Sequence, residues 1–241
     1  MNTPLVSIIT ICKNQPYIKE TCESVVNQTD GNFEWIVIDW WSCDWTLDIL
    51  KFYESKISIL VSEADSWVYN AMNKWIKLAK WKYLLFLNWW DMFYDNKIIE
   101  NVKSYLKKWD SDVYYGDSFR LFNDPKDCFI KTYPDKLEKN FFLTNTLAHQ
   151  SSFIRWNLFK KYWLYREDFT IVSDKEKWLC FMDHDVKFTH LNIVCSCFRM
   201  DGVSRKKSET LRQEKIKMLK EYFPNNLLCG TDIPYLKELF W

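Results

Sequence analysis

The sequence predicts an α/β domain with a mixed central sheet, a doubly wound first half and a short C-terminal helical tail. Three observations carry that expectation. β-Branched runs at 6–12 and 33–39 flank an amphipathic stretch at 17–26, which is the punctuation of a βαβ unit. The alternation of strand-like and helix-like segments then persists to about residue 108. Beyond residue 112 the runs shorten and the doubly wound pattern breaks, as mixed or antiparallel strands would require.

Taken in order, 6–12 and 33–39 read as buried strands, 46–53 as a helix, 57–61 as a short strand, 66–80 as a helix and 82–87 as another buried strand. Ile98, Ile99, Val102, Tyr105 and Leu106 then recur at helical spacing behind Asp95 and Asn96, which serve as the expected N-cap. Each strand runs into an acidic or polar turn. Ligands of open α/β sheets gather outside the carboxyl ends of the strands, so these turns are where chemistry is expected. Short strands follow at 112–116, 118–122 and 128–132, then a helix at 173–182 opened by Ser173 or Asp174, and strands within 186–198. In the tail, 207–223, Leu211, Ile216, Leu219 and Phe223 fall near one helical face. The expected organisation is one domain over 1–205, in two halves meeting at residue 117, followed by a helical tail at 206–241.

Length and charge narrow the class. A chain of 241 residues can bury a substantial core, and 33 Lys+Arg against 32 Asp+Glu leave a net charge of +1, so no global field recruits nucleic acid. The N-terminal run lacks the basic flank and length of a signal peptide, and no apolar stretch reaches the ~20 residues that cross a bilayer. The eight cysteines lack paired CxxC spacing, so a zinc site is not expected and most read as buried thiols of a reducing compartment. The expected location is therefore cytoplasmic.

Tryptophan is the compositional anomaly. The chain has 14 Trp and 4 Gly, where about 7% glycine would give roughly 17. Eleven of the tryptophans (Trp40, Trp41, Trp45, Trp67, Trp75, Trp81, Trp89, Trp90, Trp109, Trp156 and Trp163) occupy predicted turns and helix ends, where a backbone wants glycine. A Cβ penalises positive φ, and an indole fills the space through which a ligand approaches the backbone. UGA codons read as glycine in the source cell but rendered here as tryptophan account for the pattern, with Trp35, Trp178 and Trp241 genuine. The other account is a Trp-rich protein whose indoles stack on sugars or sit at a membrane surface.

With those positions read as glycine, four motifs stand in order. They are VSIITICKN at 6–14, IVID followed by two Gly-like positions and SCD at 36–44, SEADS through VYNAMNK at 62–74, and FLN followed by two Gly-like positions and Asp91. HQSSFI at 149–154 and Val172-Ser173-Asp174 extend the series. The chain resembles family 2 glycosyltransferases of the GT-A fold over roughly residues 4–205. That resemblance implies a nucleotide-binding half at 1–117, an acceptor half at 118–205, and inverting transfer of a sugar from a nucleotide-sugar donor, a UDP-sugar first, to a glycan or lipid-linked acceptor in surface polysaccharide synthesis.

Site roles follow from the same resemblance. Asp39, with Thr10, Asn14 and Asp65, would hold the nucleotide, a carboxylate suiting the N–H of a uracil-like base. Asp91 would bind Mg²⁺ or Mn²⁺, the hard cation a diphosphate needs to bind and depart. The first acidic residue of the DxD pattern is missing, because Asn88 stands before the two Gly-like positions. Asp174 is the expected base, with Asp168 and Glu176 as competing carboxylates, since attack by a hydroxyl on the anomeric carbon requires loss of its proton. His149 and Gln150 would lie near the acceptor or the leaving diphosphate, and Asp117 would touch the donor sugar. Arg199, Arg205, Lys206 and Lys207 form a basic cluster that suits a diphosphate, a peripheral membrane contact at the inner face, or only a solvated surface.

Two rivals remain at this level. A dinucleotide-dependent oxidoreductase lacks its signature, because 10–15 after the first strand holds neither Gly nor a Gly-like Trp. A non-catalytic carbohydrate-binding or scaffold protein of the same fold is favoured if the indoles are real.

Overall fold

The computed structural model describes residues 5–15, 17–64, 68–200 and 208–224. Strands β1 (Val6–Cys12), β2 (Glu34–Asp39), β3 (Ile59–Ser62) and β4 (Tyr83–Phe86) alternate with helices α1 (Ile18–Val26), α2 (Thr46–Phe52) and α3 (Val68–Ile76). These strands pair in parallel, in the order β3-β2-β1-β4, as buried β-branched runs do when helices cover both faces. Their register aligns the strand ends, with Cys12 opposite Asp39 and Asp39 opposite Ser62. The loops after β1 and β2 and the turn after β4 therefore share one edge of the sheet.

Past β4 come β5 (Asp91–Phe93), α4 (Ile98–Lys108), β6 (Val113–Leu121), β7 (Phe129–Lys131), α5 (Phe141–Thr144), β8 (Ser152–Arg155), α6 (Trp156–Lys161), α7 (Ser173–Met182), β9 (Phe188–Arg199) and α8 (Glu209–Tyr222). They extend the sheet as β4-β8-β6-β9-β5, with β7 on β6. β8 runs antiparallel to both β4 and β6, and β9 runs parallel to β6, so this half is mixed as expected.

The differences from the expected elements have local causes. The runs at 112–116 and 118–122 form one strand, because Gly116 lets β6 pass a bulge against β9. A Cβ there would meet Cys195 Sγ at 2.4 Å and the Ile193 carbonyl at 2.7 Å. Asp95 and Asn96 do not cap α4, whose N-cap is Lys97. The Ile99 N–H is taken instead by Gln28 Oε1 at 3.0 Å, from the end of α1. β5 and β8, at three and four residues, are too short to leave a periodic signature.

The core lies in two layers. One face of the sheet, with Ile9, Ile11, Ile36 and Ile38, packs on Met72 of α3, Phe159 of α6, Phe181 of α7 and Met218 and Leu219 of α8. The other, with Val6, Ile8, Trp35 and Val37, packs on Cys22 and Val25 of α1 and Ile99 and Val102 of α4. The tail helix is thus part of the main core, through Leu211, Met218, Leu219 and Phe223, while Ile216 is only partly buried.

Candidate active site

The sheet edge where the parallel strands end gathers the polar side chains. Asp39, at the end of β2, is fully buried, and its Oδ2 accepts from Ser62 Oγ at 2.6 Å and from the Ser42 N–H at 3.1 Å. Asn14 stands just beyond β1 at φ 48, a conformation asparagine tolerates. Its N–H donates to Ser42 Oγ at 2.8 Å and its Oδ1 accepts from the Cys43 N–H at 2.9 Å. Asp39 and Asn14 thereby brace one loop, 40–45, from both sides. Thr10 does not join them. Its side chain is fully buried, and its hydroxyl accepts from the Trp35 indole at 3.1 Å within the core. Asp65 lies outside the described residues, as do Arg205, Lys206 and Lys207.

The turn after β4 holds the second group. Asp91 is buried at the start of β5, with the Asn88 N–H on its Oδ2 at 3.2 Å. Burial pushes its carboxyl up to about 7, against the pull of His149, the Asn88 N–H, Arg120 and Gln150. The free oxygens are informative: Asp91 Oδ1 and Asn88 Oδ1 are both buried with no hydrogen-bond donor. Two unmatched oxygens at either end of one turn suit a hard cation, with an amide oxygen standing where the DxD pattern has its first carboxylate. Among the described residues no three His, Cys, Asp or Glu side chains converge as a metal cluster. Diphosphate oxygens and water would have to complete the coordination shell.

His149 connects this turn to the second half of the chain. Its Nε2 lies 3.4 Å from Asn88 Nδ2 and its Nδ1 lies 3.3 Å from Asp174 Oδ2. An imidazole protonated on Nδ1 satisfies both contacts, accepting from the amide and donating to the carboxylate. Burial pushes the ring's pKa down, but the hydrogen bond and charge of Asp174, with Asp91 nearby, outweigh burial and leave it raised. Gln150, next in the turn, is buried near Asp91.

Asp174 sits in the first turn of α7, partly exposed. Its Oδ1 lies 2.8 Å from the Lys175 N–H and 3.2 Å from the Tyr69 hydroxyl of α3, which leaves Oδ2 facing His149. Burial pushes the neighbouring Lys175 down to about 7, aided by Lys215 and opposed by Asp174. The competing carboxylates are otherwise engaged. Asp168 is held well below the usual carboxylate range by Arg166, with Lys217 adding to it, and Glu176 is buried and accepts from the Tyr222 hydroxyl.

Asp117 is drawn away from this cluster. Its Oδ1 accepts from the Tyr133 N–H and from His190 Nε2, both at 3.0 Å, and His190 in turn contacts Asp135 at 2.8 Å. Arg120, absent from the sequence expectations, is buried on β6, stacks 4.6 Å over Phe198 and adds positive charge near Asp91. An arginine inside the aromatic-rich strand β6 with no motif around it left no signal beyond its own misplaced charge.

The tryptophans crowd the same edge. The Trp90 indole donates to Gln15 and meets Tyr17 edge-on at 5.9 Å, spanning the gap between the loop after β1 and the turn after β4. Trp41 and Trp163 hold φ of 50 and 60 while 65% and 75% exposed. Their indoles thus gain little burial in a backbone region that side chains avoid.

Residues 7–166 match the profile described as Glycosyl transferase family 2. A PGL/p-HBAD biosynthesis glycosyltransferase of Mycobacterium bovis is 27% identical over 84% of the chain and 79% of its own length. The putative teichuronic acid biosynthesis glycosyltransferase TuaG of Bacillus subtilis is 32% identical over 60% and 59%. Among solved structures, S. aureus TarS 1-349 in complex with UDP-GlcNAc superposes with a TM-score of 0.70 at 15% identity, covering 98% of this chain and 78% of that one. A longer TarS chain is matched over 43% of its length. The mannosyltransferase PcManGT of Pyrobaculum calidifontis, in complex with GDP-Man and Mn2+, gives 0.66 at 14% identity, covering 99% and 68%. At such identities the structural likeness fixes the fold, which is GT-A. Among the described residues no helix is long and apolar enough to cross a membrane.

Proposed function

Because the chain belongs to glycosyl transferase family 2, we propose that it inverts the anomeric centre of a nucleotide-linked sugar, a UDP-sugar first, while transferring it to a glycan or lipid-linked acceptor. The observation that carries this is the contact chain from Asn88, beside Asp91, through His149 to Asp174. It sets a diphosphate-facing turn and a partly exposed carboxylate on opposite sides of one imidazole. The acceptor oxygen attacks the anomeric carbon, the bond from that carbon to the diphosphate oxygen breaks, and the acceptor's proton passes to Asp174. A single displacement of this kind inverts the configuration.

Asp91 and Asn88 are the residues that would hold Mg²⁺ or Mn²⁺. Such an ion neutralises charge on the departing diphosphate. Arg120 supports the same charge balance from β6. Asp39 and Asn14 brace the loop proposed to meet the nucleotide, in keeping with a donor half at 1–117 and an acceptor entering from 118–205. The relatives named for PGL/p-HBAD and teichuronic acid biosynthesis support a surface glycan or glycolipid acceptor. The UDP-GlcNAc of the TarS neighbour supports UDP, and the Mn2+ of the mannosyltransferase supports the cation.

This reading needs an open donor edge, and glycine at Trp40, Trp41, Trp89 and Trp90, in the loops after β2 and β4, opens it. Four described residues other than glycine have positive φ: two asparagines, which tolerate that region, and Trp41 and Trp163. Peptide masses of the protein from its source cells decide the matter at positions 40, 41, 89 and 90. Glycine there supports recoding, while tryptophan there blocks the donor edge and favours the glycan-binding reading.

The enzymatic test is nucleotide release from UDP-GlcNAc, UDP-glucose and GDP-mannose with and without Mn²⁺, on the chain carrying the residues those masses identify. Asp174→Asn should reduce transfer at least ~100-fold, the low end of what a positioned base contributes, with nucleotide binding kept. Unchanged turnover in that variant removes Asp174 from the mechanism.

A further inference from the structure

We propose that Glu214, on the C-terminal helix α8, is a positioning residue for Asp174, so that α8 is a working part of the active site. This rests on the reading of Asp174 as the base. Helix α7 begins at Ser173 behind Val172, a residue with no side chain able to cap it. The segment just before it is held instead by one carboxylate from 44 residues downstream. Glu214 Oε1 accepts from the Thr170 N–H and the Thr170 hydroxyl, both at 2.6 Å. Its Oε2 accepts from the Ile171 N–H at 2.9 Å and the Val172 N–H at 3.2 Å.

Four donors meet the roughly four lone-pair sites of one ionised carboxylate, and Glu214 is buried while doing so. No other group fits as well. An amide of the same shape would turn an N–H toward backbone N–H groups and leave buried donors unmatched.

The rest of α8 fixes the carboxylate in place. Leu211, Met218 and Leu219 anchor the helix in the core, Lys217 pairs with Asp168 at 2.7 Å, Glu221 pairs with Arg166, and the Tyr222 hydroxyl reaches Glu176. From the opposite side, Asn73 of α3 pairs with the backbone of Tyr165 through two 2.8 Å hydrogen bonds, and the Tyr69 hydroxyl lies 2.9 Å from the Ile171 carbonyl. The approach to Asp174 is therefore clamped between α3 and α8. Among the described residues, α8 supplies the anion that the three consecutive backbone N–H groups of 170–172 require. Releasing it frees the first turn of α7 to shift against His149, and small misplacements of a catalytic group cost disproportionately in rate.

The test compares full-length Glu214→Gln and Asp174→Asn with the unsubstituted chain, by backbone amide exchange and by UDP release from UDP-GlcNAc with Mn²⁺. Expected for Glu214→Gln is at least ~10-fold faster exchange of amides 170–175 with α1 and α4 unchanged. It should also lower kcat about 10-fold or more, with KM for UDP-GlcNAc within about twofold. Asp174→Asn should lose turnover while keeping exchange at 170–175 slow. Unchanged exchange at 170–175 in Glu214→Gln overturns the clamp, and so does faster exchange with kcat intact. Turnover surviving in Asp174→Asn overturns the base instead. Should the unsubstituted chain not release UDP from UDP-GlcNAc, a crystal structure of Glu214→Gln decides: an Asp174–His149 separation kept at 3.3 Å overturns the proposal, and a longer one upholds it.

Discussion

Asp91 shows how one buried carboxylate ties stability to pH. Its pKa is raised to about 7 in the fold, against a value near 4 when exposed. An acid with a raised folded pKa holds its proton longer in the native state. The metal-free protein is therefore most favoured below about pH 4 on this account, and loses up to about 4 kcal/mol as pH rises to about 7 and beyond. Thermal melts from pH 5 to 8 should show the metal-free protein weakening relative to Asp91→Asn, and Mn²⁺ should restore it most at pH 8. Melts that run parallel across that range would refute the assignment. At this scale the sequence was legible where a motif carried the residue. The run at 36–44, the turn at 88–91, and His149 and Asp174 all sit where strand ends or a helix start put them. Thr10 misled because a threonine within a β-branched run is as easily a core residue, and its hydroxyl serves Trp35. Arg120 and Glu214 left no local pattern, since the groups they serve lie far away in sequence.

At the scale of elements, the parallel half was readable because its strands are buried on both faces and separated by amphipathic helices. The mixed half was readable only in part: β7, α7 and β9 fall where strand or helix was expected, but β5 and β8, three and four residues long, left no periodic signature. The start of α4 is the instructive error. Asp95 and Asn96 have the chemistry of a cap, but the amide of Gln28 reaches across from α1, accepting from the Ile99 N–H and donating to the Asp95 carbonyl at 2.7 Å. A cap supplied from the turn after another helix is invisible to any window of sequence. Gln28→Ala should cost about 1–3 kcal/mol in urea denaturation, because it leaves the buried Ile99 N–H unmatched. A loss below about 0.3 kcal/mol, well under that range, would return the capping role to Asp95 and Asn96.

Over the whole molecule, the sheet order carries Asp39, Asn14, Asp91, His149 and Asp174 toward one edge, and α8 closes the core against α7. Removing residues 208–241 would expose the partners of Leu211, Met218, Leu219 and Phe223, each worth roughly 1.5–3 kcal/mol when fully buried. Their sum rivals the 5–15 kcal/mol that holds a typical domain together. The truncated chain should lose its cooperative urea transition, whereas Glu214→Gln should keep one. A truncated chain that melts as sharply as the full one would show α8 to be an appendage. The sequence showed this helix as an amphipathic tail. Its place in the core escaped notice because a single apolar stripe does not say which surface it covers.

The four-donor grip on Glu214 also has a consequence in time. Synthesis delivers every strand and helices α1 to α7 before α8, so a chain ending at residue 207 contains Asp91, His149 and Asp174 but not the helix that completes the core around them. The segment before α7 would still have three N–H groups awaiting their anion. If Asp174 is the base proposed above, its competence would then arrive late and abruptly, with the synthesis of one helix.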